Sequence, residues 1–210
     1  MQRAAESLGS SVVDSLWLDT LQRIVGRASH EVKGALNGVS VNLEVVRSRA
    51  AKAGAPATAV STFANSAVDQ LEGLIAMTDA VLSLAREVRE PVELPMLVSR
   101  VGALLGPAAR ADGGELALDG SLQDLGVTPA NGAVVRLAVA GALLAATTRW
   151  RVVRVSAAGV GSSSGVTVRV DGSDEASGVV PIDSELVAVA AEAGIAIVAE
   201  SSAILISFPR

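Results

Sequence analysis

The stretch Ser29-His30-Glu31-Val32-Lys33-Gly34-Ala35-Leu36-Asn37 carries the one histidine of a chain that has neither cysteine nor tyrosine. It lies inside a longer regular pattern. Apolar or small residues recur at Leu21, Val25, Ala28, Val32, Ala35, Val39 and Val46, with Asn42 the one position out of type. Alternating steps of four and three make this a heptad-like helical seam, with Val25, Val32, Val39 and Val46 in one row and Leu21, Ala28 and Ala35 in the other. On that register His30 stands two residues from each flanking seam position, the outermost place on the helix. An imidazole there faces solvent and combines nucleophilicity with titration near neutral pH.

Residues three and four apart share a helical face, so Gly26, Arg27, Lys33 and Gly34 surround His30, and Gly38 continues the bare strip. A glycine inside a helix costs about 1 kcal/mol relative to alanine. Three of them imply either a helix break or a surface cleared for another protein. Arg27 and Lys33 would suit a phosphoryl group at His30, although on their own they read equally as solvated charges.

Working outward, the first helix is expected from about Ser10 or Ser11 to Lys52. Ala53-Gly54-Ala55-Pro56 has the glycine and proline of a turn between helices. The second helix has the most regular pattern of all: Val60, Ala64, Ala67, Leu71, Leu74, Thr78, Val81, Ala85 and Val88, every step four or three. Val68, Ile75 and Leu82 widen the stripe beyond what a two-stranded seam requires. A hairpin of two helices cannot cover both faces. A homodimer closing a four-helix bundle is the economical solution, and packing against the chain's own second half is the rival.

Composition sets outer limits. The 210 residues can hold one large domain or two small ones. A net charge of −5 gives no nucleic-acid footprint. With no cysteine and one histidine there are no disulfides and little for a metal site. The N-terminus lacks the apolar core of a signal peptide. The most apolar run, Leu137 to Ala146, is short for a membrane span. A cytoplasmic protein without membrane contact is expected, its core built from Val, Leu, Ile and Ala.

Glu90-Pro91-Val92-Glu93-Leu94-Pro95 marks the expected boundary between a unit at 1–90 and a unit at 91–210. Beyond it the sequence predicts helices at 96–109, 131–148 and 183–193. Strands are predicted at 115–119, 152–156, 166–170, 195–199 and 203–208. Gly159-Val160-Gly161-Ser162-Ser163-Ser164-Gly165 joins two alternating strands and reads as a hairpin connection, since nothing resembles a phosphate-binding Gly-x-x-x-x-Gly-Lys-Ser/Thr loop. The fold class is α+β, an antiparallel helical hairpin followed by a smaller α/β sandwich.

Residues 27–47 resemble the phosphoacceptor motif of the dimerisation and histidine-phosphotransfer domain of two-component histidine kinases. That pattern runs Ser-His-Glu/Asp-hydrophobic-Arg/Lys-Asn/Thr-Pro-Leu, and the chain agrees at Ser29, His30, Glu31, Val32, Lys33 and Leu36. It departs at Gly34 and Ala35, and the first departure removes the residue associated with dephosphorylating a partner. The resemblance implies that His30 carries a phosphoryl group and that Glu31 hydrogen-bonds its ring. The order of elements after Pro91 resembles the ATP-binding domain of the same kinases, but the nucleotide motifs are lost. The helix stretch 141–148 has no Asn for magnesium. Asp171-Gly172-Ser173-Asp174-Glu175 keeps an Asp without the glycine spacing, and no lid or cation lies between Asp171 and Asp183.

The whole is similar to a bacterial histidine phosphotransferase with a degenerate kinase-like body. Such a protein passes phosphoryl groups between receiver-domain aspartates and takes no cofactor of its own, magnesium coming with the receiver. The implied partners are response-regulator receiver domains, a second copy of the chain and a hybrid histidine kinase upstream. Docking is expected on Gly26, Gly34, Asn37, Gly38 and Val41. The alternative is a pseudokinase-like dimeric scaffold that binds a regulator or a kinase without chemistry.

Overall fold

The computed structural model describes residues 2–52, 57–86, 90–158, 165–173 and 179–209. The turn at 53–56, Val88, the loop at 159–164 and the pair Asp174 and Glu175 lie outside the described residues. Helices α1 (Gln2–Ala50) and α2 (Ala57–Ala85) form the antiparallel hairpin, with α1 beginning earlier than the sequence pattern suggests. Its interface follows the expected seam. Ala28 is buried, and Leu21, Val25, Val32, Ala35, Val39 and Val46 are half-buried. Asn42, the residue out of type, donates its amide to Ser66 Oγ and Gln70 Oε1 at 3.2 and 3.3 Å. A polar pair inside an apolar seam fixes which turns of the two helices face each other.

The second half builds one five-stranded sheet and a helical layer. Its elements are β1 (Val92–Glu93), α3 (Leu94–Ala111), β2 (Glu115–Leu118), a 3-10 turn (Gly120–Asp124), β3 (Val127–Thr128), α4 (Gly132–Arg149), β4 (Val152–Ala158), β5 (Val166–Ser173), α5 (Ser184–Glu192), β6 (Ala196–Ala199) and β7 (Ala203–Phe208). The sheet order is β2-β4-β5-β7-β6, with β2 parallel to β4 and the rest antiparallel. The β4–β5 pair is the expected hairpin. Alternation along β5 buries Val166, Val168 and Val170 and leaves Thr167, Arg169 and Asp171 on the other face. The short pair β1–β3 was not legible: two-residue strands carry no alternation.

Helix α4 is apolar nearly all round because it is packed nearly all round. It is long and apolar enough to cross a membrane by composition, and 72% of it is buried inside the fold. Two acceptors hold its start: Asn131 Oδ1 receives the N–H groups of Ala133 and Val134, and Glu90 Oε1 receives that of Gly132 at 2.8 Å.

The expected division at residue 90 does not separate two cores. Trp17, Ile24 and Ala28 of α1 and Leu74, Met77 and Leu84 of α2 belong to the same buried cluster as α3, α4 and the sheet. The rival packing therefore holds for part of the hairpin: the second half of the chain covers it. The physical joint is Arg136, 8% exposed on α4. Its Nη1 donates to the carbonyls of Leu84 and Arg86 at 2.9 and 2.8 Å, satisfying acceptors at the end of α2. Its guanidinium stacks 4.0 Å from the ring centroid of Trp17 on α1. Burial pushes its pKa down and Asp14 pulls it back up.

Arg136→Ala removes two charge-assisted hydrogen bonds, orphans a buried carbonyl and uncovers Trp17. The expected cost is about 2–4 kcal/mol in urea unfolding, whereas Arg110→Ala on the exposed side of α3 should stay within about 0.5 kcal/mol.

Candidate functional site

His30 is exposed on α1, and it stands where the helix leaves the second half of the chain. Trp17, Thr20, Ile24 and Ala28 are buried, and no residue of α1 beyond Ala28 is. The imidazole thus sits just past the last fully buried residue of α1. Ser29 donates its hydroxyl to Gly26 O at 2.9 Å, a bond back along its own helix. Among the described residues no hydrogen bond reaches the His30 ring. The bond from Glu31 that the family resemblance implies is not formed, because consecutive side chains on a helix point about 100° apart. Glu31 is half-buried beside the seam and Lys33 is exposed.

His30, Gly34, Asn37 and Val41, spaced by four, three and four, make one ridge, and all four are exposed. A side chain placed at Gly26 or Gly34 would meet nothing within 4 Å. These two glycines do leave bare surface on either side of the ring. Gly38 does not belong with them. It is half-buried, and a Cβ there would lie 2.6 Å from the Gln70 amide. A side chain there would have to displace the Gln70 amide, at the level where Gln70 bonds Asn42.

Arg27 is turned toward the second half of the chain. Its Nη2 pairs with Asp112 Oδ2 at 2.8 Å, and its Nη1 donates to Thr148 Oγ1 at 3.2 Å and reaches Thr147 Oγ1 at 3.5 Å. The arginine expected to serve a phosphoryl group at His30 is thereby also a latch between α1, the end of α3 and the end of α4. It remains on the wall of a cleft of about 750 Å³ that His30 also lines. Arg23, Arg149 and Arg151 complete that wall together with Asp112. Sequence reading missed these three arginines and Asp112. Arg23 was within reach, since it lies seven residues before His30 on the same face. Arg149 and Arg151 come to the site only through the docking of α4, which no local pattern announces.

The positions that resemble a nucleotide site are filled or turned away. Asp171 lies on the sheet face opposite the buried valines, paired with Arg169 at 2.7 Å. Gly172 packs directly under the Trp150 ring. On α4, a Cβ at Gly141 would lie 2.6 Å from Leu186 of α5.

No protein-family model matches the chain, and no curated protein is similar to it. Among solved structures, an Acinetobacter baumannii histidine kinase, AdeS, is similar over 86% of this chain and 97% of that one. Its TM-score is 0.42 and its sequence identity 13%.

The two glycines should separate in stability. Gly34→Ala is expected to raise it by about 0.5–1 kcal/mol, the helix-propensity difference with nothing in the way. Gly38→Leu should lower it despite better propensity, because it displaces Gln70 from Asn42. Urea midpoints of the two variants against the parent protein decide this.

Proposed function

We propose that the protein is a histidine phosphotransferase of a two-component relay, with His30 as the phosphorylated residue and receiver-domain aspartates as donor and acceptor. The observation that carries the reading is the exposed, unbonded His30 at the head of the ridge His30–Gly34–Asn37–Val41. A receiver must bring its aspartate within bonding distance of the imidazole, and a ridge lacking side chains beside the ring permits that approach. In the transfer, a neutral ring nitrogen attacks the phosphorus of the aspartyl phosphate. The P–N bond forms as the P–O bond breaks, and the aspartate leaves as carboxylate with the electron pair. The proton on the other ring nitrogen can be retained, which makes the imidazole a good leaving group for the return step. Lys33 beside the ring and Arg27 on the cleft wall offset the added negative charge. Magnesium comes with the receiver.

The absence of a nucleotide step in this reading is supported by the pairing of Asp171 with Arg169 and by the packing against Gly141 and Gly172. The non-catalytic scaffold is the second reading. It is favoured by the engagement of Arg27 with Asp112, which takes up one of the two cations expected to serve His30.

The proposed assembly is a homodimer through α2. Val68, Leu71, Ile75 and Leu82 are each about half exposed, at steps of three, four and seven, and so form one apolar stripe outside the core. Leu74, by contrast, is buried within its own chain.

Phosphorylated receiver domains incubated with the protein should transfer acid-labile, base-stable label to it. His30→Gln should abolish the label while leaving receiver binding intact; relay by that variant would place the nucleophile elsewhere. Tight receiver binding by the parent protein with no label under magnesium would establish the scaffold reading instead.

Leu71→Asp should shift the protein from dimer to folded monomer in light scattering, since it places charges against each other across the stripe. Leu74→Asp should unfold it, because that position lies in the core. A parent protein that is monomeric at micromolar concentration would remove the dimer.

A further inference from the structure

Every acceptor that Arg27 uses is held in place by its own backbone. Helix α3 ends at Ala111 and Asp112 is its C-cap residue. The turn beyond it is pinned: Gly113 is left-handed, with φ +76°, its N–H donates to Arg110 O at 3.0 Å, and its carbonyl receives Arg151 Nη2 at 3.2 Å. Arg27 Nη2 meets the Asp112 carboxylate at 2.8 Å. Thr147 and Thr148 donate their hydroxyls to the Leu143 and Leu144 carbonyls at 2.9 and 2.7 Å, which leaves both oxygens to accept from Arg27 Nη1. The unmodified His30 ring offers a guanidinium one nitrogen acceptor at most. A phosphoryl group on that ring offers three oxygens and about two negative charges. Arg27 and His30 are one turn apart on α1 and line the same cleft as Asp112. The side chains of Arg27 and Asp112 are 24% and 70% exposed, so water screens their attraction and little opposes an exchange.

We propose that Asp112 is a positioning residue for phosphohistidine, acting through Arg27: it holds the guanidinium off the unmodified ring and yields it to the phosphoryl oxygens once His30 is modified. This rests on the reading of His30 as the phosphorylated residue. The exchange replaces one oxyanion by another at the same guanidinium, whose paired N–H donors fit either. The phosphoryl group gains its cation only by displacing the carboxylate, so Asp112 sets how firmly the label is held. In the same step the end of α3 and the Thr147–Thr148 end of α4 lose their Arg27 contact with α1, while Arg136 on Trp17 keeps the core joined. The second half of the chain thereby answers to the state of a ring that it does not cover.

Potassium phosphoramidate labels the one histidine of the chain without any receiver. A neutral ring nitrogen attacks phosphorus, the new N–P bond forms, and ammonia leaves with the electron pair of the broken bond. Phosphorus NMR of the labelled protein then gives one phosphohistidine signal, whose pH titration reads the second ionisation of the phosphoryl group. A guanidinium bonded there favours the dianion and lowers the midpoint. Arg27→Gln should raise the midpoint by about 0.5 pH unit, roughly threefold in the ionisation constant, and Asp112→Asn should lower it by a similar amount. The double variant separates action through Arg27 from the mere loss of a nearby negative charge. With Arg27→Gln in place, Asp112→Asn should move the midpoint by less than about 0.2 pH unit. Arg23, Arg149 and Arg151 on the cleft wall, with Glu31 and Lys33 beside the ring, are the same in all four proteins, so the cycle cancels them. An equal downward shift in both backgrounds overturns the proposal, as does a midpoint indifferent to Arg27→Gln or a ring that takes no label. Receiver-dependent labelling of His30 is measured separately, so an intact cycle without transfer removes the relay reading, and transfer without the cycle removes the role of Asp112.

Discussion

Arg136 is the contact on which the arrangement of this chain depends. A guanidinium is costly to bury, and here it is buried without a carboxylate bonded to it among the described residues. What compensates is position. It reaches the spent end of α2, where carbonyls lack helical partners, and it lies on the face of Trp17. One side chain of α4 thereby joins both helices of the hairpin to the second half of the chain. The apolar circumference of α4 is the other half of the same constraint: a helix without a polar face must be enclosed, and α1 is one of its walls.

That docking divides the hairpin into two parts with different physical duties. From Trp17 to Ala28, α1 is a core element whose inward positions are fixed by packing. Beyond Ala28 no position is fully buried, and the helix packs on α2 through a seam pinned by Asn42, Ser66 and Gln70. His30 falls two residues past the transition. Its neighbour Arg27 reaches across to Asp112 and Thr148 of the second half. The cleft exists because the ends of α3 and α4 stop short of the helix at that level, leaving Asp112 and Thr148 to meet Arg27 alone.

The hairpin, its register and the exposure of His30 were legible in the sequence because a seven-residue pattern encodes a face directly. The boundaries of α3, α4, α5 and the five long strands were legible within two or three residues for the same reason. Three things were not. Gly38 reads like Gly34 in sequence, since a missing side chain looks alike whether it clears space for a partner or for Gln70. The buried share of α2 was hidden because Leu71 and Leu74 are both stripe residues, and only tertiary docking decides which one faces the core. The arginine wall was hidden because its members come from residues 23, 27, 149 and 151, brought together by the packing of α4 on α1.

The latch of Arg27 onto Asp112 links these observations. An ion pair with one partner largely exposed contributes little to stability, on the order of 0–1 kcal/mol. Its value lies instead in what it neutralises. With Asp112 engaged, the cleft is less positive than its arginines alone would make it, and α3 and α4 are tied to α1 one turn from His30. Negative charge placed on the ring would draw on the same guanidinium. The energy at stake in exchanging one oxyanion for another is small, because the two states offer Arg27 similar bonds. A contact of that kind can respond to charge at His30 without the core, anchored separately through Arg136 and Trp17, having to move.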